Sequence, residues 1–117
     1  MPTDAVIEDA WGIRFVTVRV LASSGLIDVR YQILDPSKAD RLHSKGTENL
    51  PKLHVPGGST VLPQSAMFHF HTTANPDAVA RGFDILYGNQ RGALRAGTTV
   101  DIVLADGMKL KNVPVTD

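Results

Sequence analysis

The chain contains no cysteine. Disulfide frameworks, thiolate zinc centres and cysteine nucleophiles are excluded together. Neither sign of charge is in surplus: twelve Lys and Arg face twelve Asp and Glu across 117 residues. A broad attraction for nucleic acid or for an anionic membrane surface is therefore missing, and no run of like charge replaces it. No apolar run is long enough to cross a bilayer, so membrane insertion is not expected. Aromatics are few, with one Trp, two Tyr and four Phe. That is a poor supply for a base-stacking platform. Internal repeats and low-complexity segments are absent. Met1-Pro2-Thr3-Asp4 carries neither a charged head nor an apolar stretch, and no signal peptide is read there.

What is present is an ordinary globular composition, 43% apolar and 21% charged. It suits one domain over residues 1–117, able to bury roughly two-thirds of its unfolded surface. Period-two alternation dominates. Over residues 11–21, Trp11, Ile13 and Phe15 share one phase and Val16, Val18 and Val20 the other. A phase slip inside one strand predicts a β-bulge or a change of sheet. Residues 26–34 alternate cleanly, with Ile27, Val29, Tyr31 and Ile33 against Asp28, Arg30 and Gln32. Asp35 and Pro36 predict a capped helical turn running to about Leu42.

Further strands are expected near residues 66–73, 83–87, 98–104 and 108–115. Leu94 is expected to plug into the core, Asp106-Gly107 to turn a hairpin, and Asn112 to mark a second slip. The sum is about six or seven strands with one short helix, which reads as an all-β, antiparallel β-sandwich.

Enzymatic constellations are poor, and the chain is read as a non-enzyme. Ser23, Ser24, Ser59 and Ser65 lack a nucleophile elbow. Pro56-Gly57-Gly58-Ser59 lacks the lysine and helix of a phosphate loop. Asp28, Asp84 and Asp101 fall on outer strand faces and read as solvated, with no close acid pair. Arg81, Arg91 and Arg95 gather around one connection and have the chemistry to meet a carboxylate.

The tract with the most chemistry is Met67-Phe68-His69-Phe70-His71. Residues two apart on a strand share a face, about 7 Å apart. His69 and His71 can therefore converge on one ion, with Met67 adding a thioether on the same face. Imidazole with thioether suits copper or a similar soft metal. His54 is the candidate third nitrogen and His43 a lesser helper. The same alternation also describes two ordinary histidines on a wet outer face.

The stretches Val29-Arg30-Tyr31-Gln32-Ile33-Leu34-Asp35-Pro36-Ser37-Lys38-Ala39, Arg81-Gly82-Phe83-Asp84-Ile85-Leu86-Tyr87-Gly88-Asn89, Gly92-Ala93-Leu94-Arg95-Ala96-Gly97-Thr98-Thr99-Val100 and Asn112-Val113-Pro114-Val115 resemble uncharacterised bacterial extracytoplasmic β-sandwich domains, immunoglobulin-like or cupredoxin-like. The resemblance implies a periplasmic or extracellular location, with any leader trimmed, and no particular activity. The C-terminal half resembles, more weakly, the periplasmic copper chaperones. Their strand-terminal histidine matches His71 in Phe70-His71-Thr72-Thr73. Two further ligands of that family fall on Asp84 and Leu86, so only His71 carries over. The expectation is a non-enzymatic binding domain for a soft metal. Its alternative is an immunoglobulin-like module for an unknown protein partner, without metal.

Overall fold

A computed structural model describes residues 1–21, 25–43, 48–58, 60–61, 63–67, 82–89 and 92–117. The chain opens with a helix, α1 (Ala5–Trp11). Asp4 caps it, its carboxylate accepting from the backbone N–H of Val6 at 2.8 Å and of Ile7 at 3.3 Å. Such a cap satisfies donors that a first helical turn otherwise leaves orphaned. Gly12 ends the helix in the left-handed region at φ 67°. Trp11 thus belongs to a helix, and the strand expected from residue 11 starts at Ile13. A helix of seven residues is too short to impose a visible period, and the Trp11 side chain happened to fall in phase with Ile13.

Eight strand segments follow: β1 (Ile13–Leu21), β2 (Leu26–Ile33), β3 (Lys52–His54), β4 (Thr60–Val61), β5 (Pro63–Met67), β6 (Gly82–Gly88), β7 (Thr99–Val103) and β8 (Lys109–Thr116). Between β2 and β3 lie α2 (Pro36–Ala39) and a 3-10 turn (Asp40–His43), where Asp35 and Pro36 predicted them. The strands form one sheet in the order β4-β3-β7-β8-β1-β2-β6-β5. β1 and β8 run parallel through Val18–Val115 and Arg19–Thr116, and the other pairings are antiparallel. β4 and β5 are successive in the chain yet end opposite sides of the sheet. Counted as one stave, they make a mixed sheet of seven strands nearly closed into a barrel. The mostly-β expectation holds. The sheet is mixed rather than wholly antiparallel, and there are two short α-helices where one was expected.

Both phase slips are register shifts. One lies between Phe15 and Thr17 against β2. The other lies between Val100 and Ile102 against β8, where Asn112 takes φ 59°. The slips let Phe15 and Val18 on β1, and Val100 and Ile102 on β7, all face inward while the sheet bends, and Val16, expected in phase with Val18, is exposed at the first slip. Asp106 and Gly107 turn the β7–β8 hairpin, Gly107 at φ 92°.

The inward side chains are apolar and buried, with Tyr31, Tyr87, Ile27 and Ile85 fully so. Tyr31 stacks on Phe83 at 5.8 Å between centroids. The Tyr87 hydroxyl donates to the Pro51 carbonyl at 2.7 Å, which removes the penalty of burying it. Leu94 is buried as expected, its backbone clamped on both sides by the Asn89 amide at 2.9 Å.

Trp11 is wholly buried and gathers three elements. Its indole N–H donates to Asp106 Oδ2 at 3.1 Å, and the Arg41 guanidinium lies 4.0 Å from its ring centre. The adjoining Gly12 carbonyl accepts from the N–H of Leu34 and of Asp35. A Cβ at Gly12 would come within 2.6 Å of the Asp35 carbonyl oxygen. Gly12→Ala is therefore expected to cost roughly 2–4 kcal/mol, from the left-handed backbone and that clash together. Urea denaturation followed by the fluorescence of Trp11 measures it, and an unchanged midpoint would contradict so tight a junction.

Candidate functional site

Alternation along β2 directs Asp28, Arg30 and Gln32 to the outer face of the sheet. There the register sets Arg19 of β1 opposite Asp28, and Asp84 of β6 opposite Arg30. Asp28 and Asp84 are same-face diagonal neighbours across the β2–β6 pair. Asp28 is only 3% exposed and Asp84 8%. Alternation alone predicts these aspartates to be solvated, with no close acid pair. The structure corrects both points, because strand pairing packs each carboxyl among neighbours that linear spacing does not show.

Arg30 Nε lies 3.2 Å from Asp84 Oδ1, a charge-assisted hydrogen bond. Arg19 Nη2 lies 3.6 Å from Asp28 Oδ2, a looser ion pair. Burial pushes the Asp28 carboxyl above the usual carboxylate range. The negative charge of Asp84 and a hydrogen bond between the two carboxyls add to this, while Arg30 and Arg19 pull the other way. Tyr31 is raised too, by burial first and the Asp84 charge second. Three buried atoms find no hydrogen-bond partner among the described residues: Thr17 Oγ1, Arg19 Nε and Asp28 Oδ1. All three belong to adjacent positions on this face of β1 and β2.

The metal candidates lie elsewhere or beyond view. His69 and His71 fall outside the described residues. Met67 ends β5, registered opposite Asp84. His54 ends β3, half-buried, registered opposite Asp101 on one side and Thr60 on the other. β3 pairs with β4 and β7 and β5 with β6, so His54 and Met67 belong to different strand pairs. His43 closes the 3-10 turn. Among the described residues, no three His, Asp or Glu side chains are grouped to hold a metal ion. Of the loop arginines, Arg81 and Arg91 lie outside the described residues and Arg95 is exposed. A groove of about 310 Å³ runs over β3 and the β7–β8 turn, between Glu48, Lys52, Val103 and Ala105.

No family model, no curated protein and no solved structure matches the chain.

The salt-bridged carboxyl of Asp84 is the best test of the charged face. Arg30→Ala removes its 3.2 Å partner and is expected to destabilise the fold by roughly 1–3 kcal/mol at neutral pH. Adding Asp84→Asn to that variant should recover part of the loss. Urea midpoints of both variants check this, and equal midpoints for the wild type and Arg30→Ala would remove the pair's role.

Proposed function

We propose that this chain is a non-enzymatic binding domain acting outside the cytoplasm, and that it takes a soft metal, copper foremost, through His69, His71 and Met67. One observation carries the reading. Met67 closes β5, an end strand of the sheet, and the two histidines follow it within four residues. Two imidazoles and a thioether in so short a tract match the donor preferences of Cu(I) and similar ions. Zero net charge and the missing nucleophile contexts agree with a binding role. His54 belongs to the same proposal only as a helper, since its strand register is set apart from that of Met67. A cupredoxin-like layering of the fold is part of the reading, because a sheet curled on itself packs two faces over one core.

A second reading is an immunoglobulin-like module that binds another protein. β4 and β5 each have one side with no described strand paired to it, and an open edge can accept a further strand. This reading gives no metal affinity above background and a partner that copurifies.

Isothermal titration of untagged protein with copper separates the two. Binding is expected in the wild type, and His69→Ala with His71→Ala should lower it below detection. Equal affinity in the double variant would exclude this site, and no binding by the wild type would exclude the metal reading.

A further inference from the structure

Asp28 is nearly out of reach of solvent at 3% exposure. Its Oδ1 has no donor among the described residues, and its nearest cation, Arg19, stands at 3.6 Å. A buried carboxylate with an undonated oxygen is costly. Its diagonal neighbour on the same face across the β2–β6 seam is a second carboxyl, Asp84. Two carboxyls so placed can hydrogen-bond to one another only if one of them holds a proton. Asp84 is engaged by Arg30 at the shorter distance of 3.2 Å and is placed as the acceptor.

We infer that Asp28 is the proton-binding element of a pH-sensitive seam between β2 and β6, its hydroxyl donating to Asp84 in acid and losing that bond as pH rises. The charged groups that face Asp28 are Arg19 from β1, Arg30 beside it on β2, and Asp84 from β6. Burial and Asp84 oppose ionisation, the two arginines favour it, and the opposition prevails. The proton is therefore held more tightly in the folded chain than in the unfolded one. The resulting stability is complete below the ordinary Asp value of 3.8 and is lost as pH climbs through the higher, folded value. This one group's contribution is thus favoured by acid, contrary to the usual effect of a salt-bridged aspartate. Once the proton leaves, two ionised carboxyls adjoin across one strand pair, and their repulsion acts on the seam that joins β6 to the rest of the sheet.

The experiment compares the wild type with Asp28→Asn by urea denaturation between about pH 4 and about pH 8 in chelator-treated buffer, a range starting at the unfolded value. The side-chain amide that this substitution introduces can donate to Asp84 at every pH. The wild type should lose stability relative to the variant as pH rises. The loss reaches up to about tenfold in the folding constant per pH unit between the two pKa values, then levels off. Parallel curves across the range overturn the inference. Should the variant not fold, carbon-13 titration of the wild-type Asp28 carboxyl decides instead. A midpoint above 3.8 is the expected result, and one at or below that value overturns the inference.

Discussion

One residue of chain separates β4 from β5, and that link constrains the whole sheet. In strand order the two segments are the opposite ends. Laid flat, the ends of such a sheet would stand roughly 34 Å apart at a spacing of about 4.8 Å per strand. Val61 and Pro63 can be separated by no more than about 7 Å of extended chain. The sheet has to curl until its ends meet, and the natural twist of β-strands supplies the direction. Curling then creates an inside. Every stave that alternates apolar and polar side chains acquires a buried face, from Val18 on β1 to Ile85 on β6 and Ile102 on β7. The two bulges follow from the same constraint, since strands that bend sharply must shift register to keep their apolar set inward. The parallel contact of β1 with β8 joins the first strand to the last and links the β4-β3-β7-β8 half of the sheet to the β1-β2-β6-β5 half.

The charged seam is a consequence of strand register as well as of composition. On the outer face of β1, β2 and β6, ion pairs run across three adjacent strands: Arg19 to Asp28, then Arg30 to Asp84. The seam differs from the exposed pairs Arg14–Glu8 and Lys38–Asp9, whose energies water and salt largely screen. Inside the seam solvent is scarce around the carboxyls. There the placement of each proton and each partner matters more than the balance of charges, which is even.

Much of the fold was legible in the sequence, and the part that was legible is local. The alternation of Ile27, Val29 and Tyr31, the slip after Phe15, the cap at Asp35, the turn at Asp106-Gly107 and the plug at Leu94 each depend on residues close in sequence. The structure places them as the pattern implied. The helix α1 was missed although Asp4 and Gly12 flank it with standard cap chemistry, because seven residues show no helical period. The order of the strands and the mixed, curled sheet were not legible for a different reason. Alternation reveals that a strand has a dry side, and a sandwich and a curled sheet both supply one. Which strands neighbour which is fixed by long-range pairing such as β1 with β8, for which residues 13–21 and 109–116 carry no mutual signal.

The same reasoning explains why the charged seam stayed hidden while the histidine tract did not. His69 and His71 are two apart in one segment, so their chemistry can be proposed from spacing alone. Asp28 and Asp84 are separated by much of the chain and become neighbours only through the β2–β6 register. Alternation assigned each of them correctly to an outer face, and from face to solvent exposure was a further step that failed. A face is a property of one strand, whereas burial and protonation are properties of what lies beside it. For Asp28 the decisive neighbours are a loosely held arginine on β1 and an engaged carboxylate on β6. Those two contacts, arriving from opposite sides of β2, turn an ordinary outward aspartate into a group whose proton has structural weight.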